Sequence, residues 1–186
     1  YSVLISDEQY NRLNQIIHKV EATSQEYKFN FIGYQNYPHQ VLFDFFYMYF
    51  KDNEKAAFFM VAITEAICNA CRYNKKSYDR AKIDITIKYI NKSLIVSIKA
   101  DTYKTKAKMI KDNLFKLTKN NNACWHEIIQ DKFSGRGIWL MLQSCDRVIL
   151  EPDMQTVHLV VYLPYKIRKL SNKKLLNKLD IGVLEI

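Results

Sequence analysis

The sequence predicts an α+β protein built as a two-layer sandwich. Three observations carry that expectation. Ile83, Ile85, Ile87 and Tyr89 alternate with Asp84, Thr86 and Lys88, and Asn91-Lys92 turns this strand into a second one marked by Leu94, Val96 and Ile98. A second hairpin is marked over Arg147 to Leu150 and Thr156 to Leu163, around Glu151-Pro152-Asp153. The long segments between them have helical period, and strictly alternating βαβ units are missing, which disfavours a Rossmann arrangement.

The elements follow in order. Asp7 is placed to cap a helix running to about Ala22, with Tyr10, Leu13, Ile16, Ile17 and Val20 at helical spacing. Thr23 to Glu26 reads as a polar connection, and Lys28 to Tyr34 as an aromatic-rich strand ending at Gly33. Pro38 stands where a first-turn proline belongs and opens a helix to about Phe50. That helix is apolar nearly all round, so it belongs in the core or in a subunit contact. Asp52 or Asn53 caps a second helix, about Glu54 to Tyr73. Thr102 to Asn122 has a short helical pattern at Met109, Leu114 and Leu117 among lysines and asparagines, and is expected to be a mobile loop with some helix. A compact helix follows Gly137 to about Ser144, and Leu170, Leu175, Leu176 and Leu179 mark a small amphipathic helix in a basic tail. The expected organisation is an N-terminal helix within 1–27, a central domain over 28–164 and the tail over 165–186.

Composition narrows the function classes. With 186 residues and 48% hydrophobic content, global disorder is excluded. No run of eighteen apolar residues exists, so a membrane-spanning helix is not expected. The first ten residues lack the basic-then-apolar order of a secretory leader, and a start at Tyr1 reads as a piece of a longer protein. Lys and Arg number 28 against 19 acidic residues, a net charge of +9 that favours a phosphate-bearing or acidic partner. Four scattered cysteines fit reduced thiols in a cytoplasmic protein better than a disulfide scaffold.

Two local features carry chemistry. Glu65, Asn69 and Arg72 are spaced i, i+4 and i+7, so they fall on one stripe of the second helix, among Ala62, Ile63, Ala66, Ile67 and Ala70. Such a row is either a solvated face or a cleft wall, in which the carboxylate takes a proton and the amide oxygen binds a hard cation such as Mg²⁺. The second feature is Ser134-Gly135-Arg136-Gly137, which leads into the Ile138–Ser144 helix and holds two of the four glycines. Glycines ahead of a helix let backbone N–H groups close around phosphate oxygens, although the same sequence also makes a plain tight turn.

Together these segments resemble a known family. Glu65-Ala66-Ile67-Cys68-Asn69-Ala70 is similar to the N box of the GHKL ATPases, the Bergerat-fold group. Gly135-Arg136-Gly137-Ile138-Trp139-Leu140-Met141, followed by Ser144-Cys145-Asp146-Arg147-Val148, resembles the anti-sigma-factor serine kinases of partner-switching systems. The two boxes stand in the right order, about seventy residues apart, and the resemblance covers about Phe29 to Leu163. It implies a mixed, mostly antiparallel sheet covered on one face by helices, with ATP and Mg²⁺ as cofactors. Asn69 would ligate the Mg²⁺, Glu65 would be the general base, and Gly135, Arg136 and Gly137 would cradle the phosphates. Asp101 would read the adenine amino group, and Thr156, opening the final strand, would be the last nucleotide contact. The implied partner is a sigma factor or an anti-anti-sigma-like protein; a homodimer is expected from the helix Val41 to Phe50, too apolar for one buried face.

The chain departs from that pattern at Ala100-Asp101-Thr102-Tyr103-Lys104-Thr105, which has an aspartate but neither glycine of the family's Asp-x-Gly-x-Gly. Alternation through Leu94, Val96 and Ile98 also puts Ala100, not Asp101, in phase. A Cβ where positive φ is wanted costs about 1–2 kcal/mol, and Tyr103 is placed to fill adenine space, so reduced nucleotide affinity is expected. Three readings follow: an ATP-dependent serine kinase that also sequesters its partner, a decayed module acting by protein contact alone, or the ATPase-like domain of a longer signalling protein. Cys68-Asn69-Ala70-Cys71 with Cys124 and His126 is a poor zinc set because the pair lies mid-helix. The lysines from Lys104 to Lys119 read as a solvated face rather than a nucleic-acid contact, and His18 as a surface histidine.

Overall fold

The computed structural model describes residues 24–103, 106–119 and 135–184. The helix expected over Asp7 to Ala22, with His18, lies outside the described residues, as do Cys124 and His126.

Alternation dominates the sheet. Strands β1 (Ser24–Ile32), β2 (Lys82–Ile90), β3 (Ser93–Ala100), β4 (Arg147–Leu150), β5 (Thr156–Tyr162) and β6 (Leu179–Ile181) form one sheet in the order β1-β2-β3-β5-β4-β6. All neighbours are antiparallel except β4 and β6, which run parallel. Ile83, Ile85 and Ile87 of β2, Leu94, Val96 and Ile98 of β3 and Leu159 and Val161 of β5 are buried in one cluster with helix residues that come chiefly from three helices. These are α1 (His39–Phe50), α2 (Asn53–Arg72) and α4 (Gly135–Ser144). The intervening Asp84, Thr86, Lys88, Ser97 and Lys99 lie on the other face, where they are half-buried or exposed. The fold is therefore α+β with a mostly antiparallel sheet, and these three helices pack on one face of it.

Local chemistry explains the boundaries. Asp52 caps α2 by accepting the Lys55 N–H at 3.1 Å, which satisfies one of the donors a helix start leaves open. Pro38 is the N-cap of α1, one position before the first turn in which it was expected. Asn91 and Lys92 both adopt positive φ, 49° and 61°, as a two-residue turn between right-twisting strands requires. Helix α1 buries Leu42, Phe45, Phe46 and Phe50 and leaves Asp44 and Tyr47 exposed. Its rings interlock with α2 and the sheet: Phe46 stands edge-on to Phe59 at 4.9 Å, and Phe45 to Tyr27 at 5.3 Å.

Three expectations change. The connection at Thr23 to Glu26 is already strand from Ser24, pairing with Ile90. The segment expected to be mostly loop contains a thirteen-residue helix, α3 (Ala107–Lys119), that buries Ala107 and Leu114 while Met109 points out. The tail is tied down: after the short helix α5 (Asn172–Leu176), Leu179 enters β6 rather than continuing the helix. Tyr165, Leu175, Leu176 and Leu179 join the core cluster. Lys178 Nζ donates to the carbonyls of Leu142 (3.0 Å) and Cys145 (2.7 Å) at the end of α4, and Lys111 Nζ donates to Leu179 O at 2.7 Å. These lysines satisfy carbonyls that helix and strand ends leave open. Among the described residues no helix is long and apolar enough to cross a membrane.

The turn gives a direct test. Lys92 holds a left-handed conformation that glycine adopts without strain, so Lys92→Gly is expected to raise unfolding stability by about 0.5–1 kcal/mol. Urea unfolding monitored by circular dichroism measures this; a lower midpoint would contradict the turn geometry.

Candidate functional site

Glu65 and Asn69 lie one turn apart on α2, and Ala62, Ala66 and Asn69 share a stripe of small or short side chains on the same helix. Helix α4 approaches α2 closely with Gly137, which is buried. A Cβ built on Gly137 would lie 2.9 Å from Asn69 Nδ2 and 3.0 Å from Glu65 Oε2. The glycine is thus required by proximity: its φ is not in the left-handed region, and a side chain there would displace both polar ends.

The helix begins at Gly135 rather than after Gly137, so Gly135, Arg136 and Gly137 form its first turn. The first N–H groups of a helix have no partner within it, and they sit at the end where the helix dipole favours anions. Arg136 is exposed. The structure therefore brings Glu65, Asn69 and the Gly-Arg-Gly turn together, although they are far apart in sequence. Arg72, the third member of the row, is exposed and turns its guanidinium toward Cys68 Sγ at 3.7 Å.

Asp101 follows the end of β3, and Thr156 opens β5. Thr156 pairs with Lys99, and His158 with Ser97, whereas Val157 pairs with the buried Ile98. Directly paired residues share a face, so Thr156 belongs to the face opposite the helices, although it is buried. Its inward neighbour is Val157, which packs on the core cluster. The same alternation makes Ala100 the inward residue, buried in that cluster, and leaves Asp101 exposed. Asp101 Oδ1 pairs with Lys75 Nζ at 2.5 Å and lines a shallow hollow of about 230 Å³ with Asn74, Lys82, Asp84 and Lys99. Strand phase thus puts Thr156 on the outer face and makes Ala100, rather than Asp101, the inward residue.

Of the two glycine positions of that pattern, Tyr103 does not have positive φ, and Thr105 lies outside the described residues. Thr102 is buried, its Oγ1 donating to Met154 O at 3.1 Å, and its backbone bridges to Asn74. Tyr103 is 61% exposed, and its N–H donates to Tyr73 O at the end of α2, 2.9 Å away.

Sequence reasoning missed a tyrosine group beside the row. Tyr34 and Tyr37 come from the short 3-10 turn Tyr34–Asn36 and the residue after it, and Tyr78 from a second such turn. Tyr34 stacks obliquely on Tyr78 at 5.4 Å, and Tyr37 Oη lies 3.1 Å from Thr64 Oγ1. Burial first, then the nearby Cys68, Cys71 and Glu65, raise the Tyr34 hydroxyl above its ordinary value. No periodic pattern announces these rings, because they come from irregular turns.

Comparison with protein-family models gives no match, and comparison with curated proteins gives none either.

Two predictions follow from this geometry. Gly137→Ala pushes against the flexible ends of Asn69 and Glu65 rather than against backbone, so it is expected to cost no more than about 1 kcal/mol while shifting the Asn69 side-chain amide resonance in a ¹H–¹⁵N spectrum. An unmoved resonance would place Gly137 elsewhere. Burial, with Cys68 beside it, pushes the Cys71 thiol up from 9.0 to about 11. The folded state therefore keeps a proton that the unfolded chain loses first, and this contribution, complete below pH 9, disappears as pH rises through 11. Denaturant midpoints across that range should fall less steeply in Cys71→Ala than in the parent.

Proposed function

We propose that the chain is an ATP-binding regulator of the GHKL type, with the Bergerat arrangement of its sheet and helices, acting as the anti-sigma-factor serine kinases do. The observation that carries this reading is the meeting of Gly137 with Glu65 and Asn69. A carboxylate, an amide and the first turn of a helix converge on one spot, and each suits a part of a Mg²⁺-triphosphate. An amide oxygen is a hard ligand of the kind Mg²⁺ takes, and Asn69 would hold the ion. The N–H groups of Gly135, Arg136 and Gly137 would face phosphate oxygens, with the Arg136 guanidinium adding charge. Glu65 would accept the proton of a serine hydroxyl on a partner, or of water. Phosphoryl transfer asks mainly for placement and neutralisation of charge, which these groups supply. In this reading the chain phosphorylates or sequesters a cytoplasmic protein partner, such as a sigma factor or its antagonist, and works as a homodimer.

A second reading has its own support: Ala100 and Val157, the inward neighbours of the expected nucleotide contacts Asp101 and Thr156, offer no hydrogen-bonding side chain. On that observation the chain is a binding module that acts through protein contact alone.

Calorimetric titration separates the two. Mg²⁺-ATP is expected to bind the parent protein, and the Mg²⁺ dependence is expected to vanish in Asn69→Ala. Glu65→Gln should keep affinity within about threefold while lowering ADP formation by about 10²-fold or more. Absence of nucleotide heat in the parent would leave the contact-only module standing.

A further inference from the structure

We propose that a cavity at the start of α2 binds a small aromatic carboxylate. The cavity measures about 370 Å³, at the low end of the range for small-ligand sites. It lies among the end of α1, the first turn of α2, the β2–β3 turn and the segment after β5. Its lining has two chemistries. The rings of Tyr49 and Tyr89 meet at 5.7 Å and those of Phe50 and Tyr165 at 4.8 Å, and Leu163 and Pro164 add aliphatic surface. Two of the tyrosine hydroxyls are used elsewhere: Tyr49 Oη donates to Gln25 Oε1 at 3.3 Å, and Tyr165 Oη to Ser144 O at 2.6 Å. These side chains therefore offer the cavity ring carbon. The charged lining is Lys55 and Lys92, and the described lining residues include no carboxylate. Lys92 is exposed, and Lys55 is half-buried and only loosely paired, 3.6 Å from Asp52.

That division selects the ligand. A neutral apolar molecule would take water from the two ammonium groups and give them nothing in return, and a cation would be repelled. A bare small anion would meet the lysines but leave the rings uncovered. A flat aromatic body with one carboxylate answers both, packing on the rings while its oxygens accept charge-assisted hydrogen bonds. The walls are held before any ligand arrives: Phe50 and Tyr165 belong to the core cluster, and Leu163 N–H donates to Lys92 O at 2.7 Å, tying two of the walls together. This site is separate from the acid–amide row. Lys55 precedes Glu65 by ten residues on α2, about 15 Å along the helix axis, so the inference does not rest on the Mg²⁺-phosphate reading.

The test is calorimetric titration of the 186-residue chain with cinnamate, with cinnamyl alcohol as its neutral counterpart and acetate as the bare anion. Cinnamate is expected to bind with a dissociation constant of about 1 mM or tighter, and about tenfold or more tighter than either comparison molecule. The double variant Lys55→Met with Lys92→Met, which leaves the ring walls in place, is expected to lose that preference for cinnamate over the alcohol. In a ¹H–¹⁵N spectrum cinnamate should move the amide resonances of Lys92 and Tyr165. Equal affinity for the alcohol would make the cavity a plain apolar crevice and overturn the proposal. An undiminished preference in the double variant, or shifts that spare Lys92 and Tyr165, would place the anion elsewhere and do the same. Absence of cinnamate binding would also refute it, and none of these outcomes touches the reading of Glu65, Asn69 and Gly137.

Discussion

Which side chains meet the helices is decided by the two-residue period of the three central strands. Ile83, Ile85, Ile87, Leu94, Val96, Ile98, Leu159 and Val161 press against α1, α2 and α4, and that choice puts Asp84, Lys99, Asp101 and Thr156 on the other face. Fully burying one such aliphatic side chain contributes about 1.5–3 kcal/mol. An exposed ion pair such as Lys75–Asp101 contributes about 1 kcal/mol or less. Register is therefore set by the core, and polar residues on the strands take whichever face remains.

The outer face has used that constraint in its own way. His158 is buried there, and both ring nitrogens have partners: Ser97 Oγ lies 2.7 Å from Nδ1 and Glu151 Oε1 lies 3.1 Å from Nε2. A buried imidazole without partners would be costly, so the row Ser97–His158–Glu151 satisfies a polar side chain that strand phase forces onto this side. Thr156 belongs to the same face, which is why its hydroxyl belongs with this polar face and not with the helices.

Most of the architecture was legible because it rests on short-range signals. The alternation of Ile83 to Tyr89, the Asn91-Lys92 turn and the Asp52 cap each specify local geometry with few competing solutions. Helix α3 was underestimated because its lysine and asparagine content mimics loop composition, while Ala107, too small to register in a pattern of large apolar residues, is one of its buried anchors. The fate of Leu179 was not legible, since a single leucine cannot distinguish the end of a helix from an edge strand that finds β4. At the site, the i, i+4 spacing of Glu65 and Asn69 gave their common face, but only the packing of α4 against α2 brings Gly137 to them. Phase also made Ala100, rather than Asp101, legible as the inward residue, because burial of a whole strand outweighs the chemistry of one carboxylate.

Two ends of one candidate site thus have separate structural origins. The acid–amide pair and the glycine turn depend on how closely two helices approach, which small residues at 62, 66 and 137 permit. Whatever lies at the strand ends depends on register, which the core fixes without reference to any ligand. Substitutions along β3 and β5 can change the second without moving the first, because a strand residue is replaced in place while the helix contact keeps its distance. Glycine at 137 has the opposite character: any Cβ there intrudes on Glu65 and Asn69 together. A methyl at 137 is met by the flexible ends of Glu65 and Asn69, so it alters the site before it alters the fold.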